Sequence, residues 1–214
     1  MRTRRTEPTW EGCFSALPES RKGAIEERAM NGNTNATKRL EDGNVYFKKN
    51  TDSSFLARLS QKQEPSVVIP TCSDSRVVPE KIFNLSLGDA FIVQVVGNSA
   101  SEPSVLGSLE YAVGNLHVRV LLVLGHSGCG AVRAVIAGGG LDNFSKVLRD
   151  INRARDKVPE GQANNLDAVA ESNVRLQIRL IEDSSAVIMN AVNKGQLTIV
   201  GAMYDMATGA VRFL

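Results

Sequence analysis

The sequence predicts an α/β fold: a central, mostly parallel sheet flanked by helices, with an antiparallel C-terminal edge and an N-terminal helical arm. Three observations carry this. Short runs rich in β-branched residues at 66–71, 90–96 and 118–124 alternate with longer stretches of helical periodicity, the order that builds a parallel sheet. Val118-Arg-Val-Leu-Leu-Val-Leu124 is almost wholly apolar, as a strand covered on both faces requires. The segment from Leu197 to Phe213 holds two strand-like runs around Ala207-Thr208-Gly209 and reads as a closing hairpin.

Taken in order, residues 1–33 read as a flexible extension, because Arg, Glu, Gly, Asn and Thr dominate and apolar residues show no period. Its first residues are basic, but Glu7, Pro8 and Glu11 stand where a secretory signal needs an apolar core. The expected compartment is the cytoplasm; an organelle is the alternative, should the extension be a transit segment. Residues 34–214 form one domain. Its first part, with Leu40, Val45, Phe47, Phe55, Leu56 and Leu59, suggests an amphipathic helix broken around Asp42-Gly43-Asn44. Pro103 to Leu116 predicts a helix that carries Pro near its start. Residues 141–158 and 166–193 predict two more, the second closed by Gly195.

Composition excludes several classes. A net charge of +2, with no basic stripe interleaved with aromatics, argues against nucleic acid or a membrane surface as partner. No apolar run is long enough to span a bilayer. Cys13, Cys72 and Cys129 are an odd, sparse set, which fits a reducing compartment and metal or thiol chemistry better than a disulfide framework.

Sites in open α/β sheets form beyond the carboxyl ends of strands. Cys72-Ser-Asp74-Ser-Arg76 follows one predicted strand, and Gly125-His126-Ser-Gly-Cys129-Gly130 follows another. His-x-x-Cys is a common spacing for two ligands of one metal, and Cys72 supplies a third. Two thiolates and an imidazole suit Zn²⁺ rather than Mg²⁺ or Ca²⁺, and three protein ligands leave a fourth position for water. Cys13 lies in the extension and His117 between a helix and a strand, so neither is expected to fill that position. Side chains two apart on an extended chain share a side, which sets Asp74 beside the metal and Arg76 beside Asp74. An ionised Asp74, held by a bidentate Arg76, could then receive the hydrogen bond of metal-activated hydroxide. In a closed state Asp74 is itself a fourth ligand. The plainer reading of Asp74 and Arg76 is a structural ion pair or a turn cap.

These two motifs, in this order, resemble the β-class carbonic anhydrases. The likeness extends to Gly88-Asp-Ala-Phe91, Gly97-Asn98, Ser108-Leu-Glu-Tyr-Ala112 and Gly201-Ala-Met-Tyr-Asp-Met-Ala-Thr-Gly209, and covers roughly 37–214. It implies one zinc per subunit on Cys72, His126 and Cys129, an Asp74–Arg76 dyad, and reversible hydration of CO₂ to bicarbonate and a proton. It also implies a homodimer or larger homo-oligomer, with the helix near 37–60 reaching a neighbouring subunit. Many members of that class carry Arg where this chain has Gln94, which removes a fixed charge. Phe91, Val93 or Val95 are expected to line the pocket for CO₂. The rival readings are hydrolysis of carbonyl sulfide or carbon disulfide on the same site, and a non-catalytic zinc-binding bicarbonate sensor.

Overall fold

The computed structural model describes residues 19–139 and 145–214. The chain divides into two compact units, Met1–Gln61 and Lys62–Leu214. Cys13 lies outside the described residues.

In the first unit, helix α1 spans Glu19–Asn50 and helix α2 spans Ser53–Leu59. The sequence had suggested a break at Asp42-Gly43-Asn44, and the structure corrects this. α1 runs straight through Gly43, with Lys38 Nζ bonded to Asp42 Oδ1 at 2.9 Å across one turn. One glycine inside a helix costs only about 1 kcal/mol relative to alanine. The break comes at Asp52, whose carboxylate accepts from the Ser54 N–H at 2.7 Å and caps α2. The second part of the predicted extension is thus helical from Glu19 onward.

The second unit is a five-stranded sheet in the order β2-β1-β3-β4-β5. Strands β1 (Val67–Thr71), β2 (Ala90–Gln94), β3 (Val120–His126) and β4 (Thr198–Tyr204) are parallel. β5 (Val211–Phe213) pairs antiparallel to β4, as the closing hairpin predicts. Between them lie α3 (Pro79–Ile82), α4 (Pro103–Gly114), α5 (Gly130–Ile136), α6 (Ser145–Arg155), α7 (Leu166–Ser184) and α8 (Ala186–Asn193). The single helix expected over 166–193 is two. Ser185 leaves helical geometry, with φ −126° and ψ 105°, and its hydroxyl accepts from the Ile188 N–H to start α8.

β3 explains why the sheet is buried on both sides. Its successive residues point to opposite faces. Leu121 and Val123 join the larger core with Leu109, Val174, Ile181 and Ile188 from the helices. Leu122 and Leu124 join a smaller cluster with Ile69, Val77 and Ala202 on the other face. Phe91, Val93 and Val95 pack against the larger core.

The strand order creates the place for a site. From β1 the chain moves to β2 on one side, then returns through α4 to β3 on the other. The connections above β1 and β3 therefore run in opposite directions and leave a crevice at their carboxyl ends. Cys72 follows β1 directly, and His126 is the last residue of β3.

Candidate metal centre

Hydrogen bonds tie the strand ends together around the crevice. Thr71 Oγ1 donates to the Leu124 carbonyl at 3.0 Å, pinning the ends of β1 and β3. Val95 N–H donates to the Thr71 carbonyl and Ser73 N–H to the Val95 carbonyl, so the ladder continues past β2 on either side of Cys72. Ser127 N–H donates to the Tyr204 carbonyl and does the same for β3. Gly128, at φ +62°, turns the chain so that Cys129 becomes the residue from which α5 starts. Gly125 serves another need. A Cβ there would stand 2.5 Å from Val174 Cγ2 and 2.8 Å from Met203 Sδ, so only glycine lets α7 lie against the end of β3.

The result is that Cys72 Sγ, Cys129 Sγ and an imidazole nitrogen of His126 all lie within 4.8 Å of one another, each residue buried. His126 Nδ1 is 3.0 Å from the Ser127 carbonyl, to which it donates its proton. That assigns the lone pair to Nε2, which is buried and has no hydrogen-bond partner among the described residues. A buried polar atom left bare is costly unless it binds something. An imidazole oriented by a carbonyl through one nitrogen is the usual arrangement of a metal-binding histidine.

The thiols make the same point through charge. The hydrogen bond from Cys129 pulls Cys72 down to about 4, helped by His126 and by the N–H groups of Asp74 and Gly97, against its burial. Donating that bond, together with burial and the Cys72 charge, pushes Cys129 far above the ordinary thiol range. Two adjacent sulfurs thus share one negative charge and one proton. Burial works against a proton on His126, but the adjacent Cys72 thiolate outweighs it and raises that group above its ordinary value. Only a cation lets both sulfurs ionise together, and a soft divalent ion fits two thiolates and one imidazole.

Asp74 and Arg76 also meet, though by a different geometry from the extended chain expected. The chain turns at Ser75–Arg76, and Val77 N–H donates to the Asp74 carbonyl at 2.9 Å. Asp74 Oδ1 accepts from the Arg76 N–H at 3.1 Å and from Nε at 2.9 Å; Oδ2 accepts from an Arg76 Nη at 2.7 Å. This two-pronged grip holds the carboxyl well below the usual carboxylate range, against a smaller opposing effect of burial. Asp74 is therefore a turn cap and an oriented anion at once. Gln94 closes the loop from below: its Nε2 donates to the Val77 carbonyl at 3.1 Å and to the Cys72 carbonyl at 3.3 Å.

A cleft of about 310 Å³ opens over the cluster, lined by Cys72, Ser73, Asp74, Val96, Gly130 and Ala131. Its apolar wall is Val96 and Ala131, not the expected Phe91, Val93 or Val95, whose side chains turn to the core. A larger cavity of about 490 Å³, beside Ser127, Glu171, Tyr204 and Arg212, touches none of the five predicted site residues. His117 is exposed, with φ +55°, before β3 and so at the far end of the sheet from Cys72.

Sequence reasoning passed over Asn173 and Gln177. Both sit in the buried stripe of α7, among Val169, Val174 and Ile181. Two amides one turn apart inside an apolar stripe were the available signal.

The family model described as carbonic anhydrase matches residues 67–211. Carbonic anhydrase 2 of Mycobacterium tuberculosis is 36% identical over 191 residues, covering 83% of this chain and 92% of that protein. The carbonic anhydrase of Mycolicibacterium smegmatis is 35% identical over 189 residues, with 82% and 90% covered. The fold is that of a tetrameric β-carbonic anhydrase of Sordaria macrospora, with a TM-score of 0.74 at 23% identity over 85% of this chain and 97% of that one. A Coccomyxa β-carbonic anhydrase solved with acetazolamide gives 0.68 at 28% identity over 85% and 84%. On the family match and these identities, the chain belongs to the carbonic anhydrases, in their β-class.

Proposed function

We propose that this chain catalyses the reversible hydration of CO₂ to bicarbonate and a proton, with one Zn²⁺ per subunit held by Cys72, His126 and Cys129. The observation that carries the reading is the buried His126 imidazole, its Nε2 without a hydrogen-bond partner among the described residues, gathered with the sulfurs of Cys72 and Cys129 in a chain of this family. Zinc, when bound, supplies the Lewis acidity that makes water a nucleophile near neutral pH.

The remaining roles belong to the protein. Asp74, kept ionised by Arg76, accepts a hydrogen bond from the attacking water and so turns its lone pair toward the cleft. Both carboxylate oxygens are engaged by Arg76, which supports the form in which Asp74 orients water over the closed form in which it is a ligand. Val96 and Ala131 give the cleft an apolar wall suited to a small apolar substrate. Gln94 fixes the loop that carries the dyad.

The active form is a homodimer or larger homo-oligomer in the cytoplasm. α1 exposes Leu40, Val45 and Tyr46 by 76, 65 and 70%, apolar surface that a second copy would cover. No helix among the described residues is long and apolar enough to cross a membrane.

Stopped-flow CO₂ hydration by the zinc-loaded protein tests the reading. The wild type should far exceed buffer, Cys72→Ser should lose zinc and activity together, and Asp74→Ala should keep zinc and lose rate. A wild type no faster than buffer, or a Cys72→Ser enzyme of full activity, would overturn it.

A further inference from the structure

The sulfur of Cys72 accepts a backbone hydrogen bond from the Gly97 N–H at 3.4 Å, beside that of Asp74. Gly97 lies in the 3-10 turn Val96–Asn98 at φ +66°, and a Cβ there would meet Ile151, Val147 and Ala131 at 3.0–3.2 Å. The turn is tied to α7 at two points. Ala100 N–H donates to Gln177 Oε1 at 2.8 Å, Gln177 Nε2 donates to Asn173 Oδ1 at 3.1 Å, and Asn173 Nδ2 donates to the Gly97 carbonyl at 2.9 Å. Asn173 and Gln177 are 1% and 0% exposed.

The direction of this chain is forced. An amide N–H can only donate and a carbonyl can only accept, so Ala100 at one end and Gly97 at the other fix both side-chain amides in one orientation. No member can flip without leaving a buried polar group unpaired. Two costly polar side chains in an apolar helix stripe thus hold, from outside, the turn that carries the Gly97 N–H, Asn173 reaching Asn98 Oδ1 as well at 3.4 Å.

We propose that Asn173 and Gln177 are positioning residues for the metal centre, acting through Gly97 to aim a hydrogen bond at Cys72 Sγ and so fix the direction and charge of that sulfur toward its metal. Outer partners of this kind orient a ligand and tune how much charge it gives. The inference rests on the ligand set proposed above.

Its test uses nitrogen-labelled protein loaded with the spin-active isotope of cadmium. In the wild type, a through-bond correlation should join cadmium to the Gly97 amide proton across the N–H···S bond. Asn173→Leu should lose that correlation and weaken cadmium binding about 10- to 100-fold. Ile181→Val trims the same helix where it is buried but outside the amide chain, and should keep both. Cadmium bound by the wild type with no Gly97 correlation would overturn the inference and leave the ligands standing. Failure to bind cadmium at all would overturn the ligand set and the inference with it. Should Asn173→Leu not fold, Gln177→Met cuts the chain one bond further away; an unchanged correlation and affinity in that variant would overturn the role of the amides.

Discussion

Gly125→Ala is the sharpest perturbation the geometry offers. The new methyl would stand 2.5 Å from Val174 Cγ2 and 2.8 Å from Met203 Sδ, where carbon contacts normally need about 3.5–4.0 Å. Met203 can yield, because a thioether side chain rotates freely. Val174 cannot: a β-branched residue in a helix has one strongly preferred rotamer, so α7 itself must shift by about 1 Å. Overpacking costs about 1–3 kcal/mol, and two simultaneous clashes with one stiff partner put this case at the upper end. For a chain of this length, about 3 kcal/mol lowers Tm by roughly 6–12 °C. Gly130→Ala is the control, since a Cβ there meets nothing within 4 Å. Denaturant melts and zinc affinity should be measured together, because the displaced helix sits on the residue before His126. Adding Val174→Ala to Gly125→Ala should recover part of the loss. A Gly125→Ala protein within about 0.5 kcal/mol of wild type, or a double variant no better than the single one, would refute the close-approach argument.

Gln94→Leu leaves the Cys72 and Val77 carbonyls without their side-chain donor, at a cost of about 1–3 kcal/mol in stability; kcat should fall more than zinc content, and an unchanged kcat refutes the bracing role. Glu171 is held below its ordinary pKa of 4.5 first by Arg212 and then by Arg175, so its contribution is full above that value and disappears as pH falls through the lowered one. The arginines are half exposed or more, so Glu171→Gln should cost only about 0.2–1 kcal/mol at pH 7; thermal melts should show the two proteins converging below the carboxylate range, and a gap that persists there counts against the pair. Removing the metal at pH 7 should leave Cys72 as thiolate and Cys129 protonated, so rebinding zinc should release about one to two protons by calorimetry in buffers of different ionisation enthalpy, and affinity should weaken with falling pH. Zinc uptake without proton release would contradict the shared-proton description.

The sheet was legible because each strand is a short β-branched run bounded by turn formers, and the crevice was legible because both chemical motifs sit at strand ends. What escaped had physical causes. Gly43 reads as a breaker, yet its propensity penalty is smaller than the cost of interrupting a long helix. The joint at Ser185 was hidden because apolar periodicity continues across it, and only the serine cap marks the start of α8. α5 has seven residues, too few for a period to declare itself beside the His-x-x-Cys motif. Asp74 and Arg76 were paired correctly on a wrong backbone, since two-residue spacing brings side chains together across a turn as well as along a strand. The pocket wall was misjudged because alternation names two faces without saying which one meets solvent; in β2 the alternate residues Phe91 and Val93 went to the core.

Helix α7 carries none of the three proposed ligands, yet it contacts the chain beside each of them. Asp167 accepts from the Gly128 N–H in the turn between His126 and Cys129, at 3.2 Å. Asn173 holds the turn whose N–H reaches Cys72. Val174 rests on Gly125, beside His126. Metal coordination distances hold to within about 0.2 Å, so a helix displaced by more than that would be felt at the three proposed ligands together. Substitutions that move α7 should therefore weaken metal binding out of proportion to their effect on stability. Equally destabilising changes on the other face of the sheet, such as Leu122→Ala, should melt the protein earlier and leave the affinity of the folded state alone. Plotting zinc affinity against unfolding free energy for both sets separates the two cases: one common line would mean that α7 is ordinary core, and two lines that it is the strut on which the site is aligned.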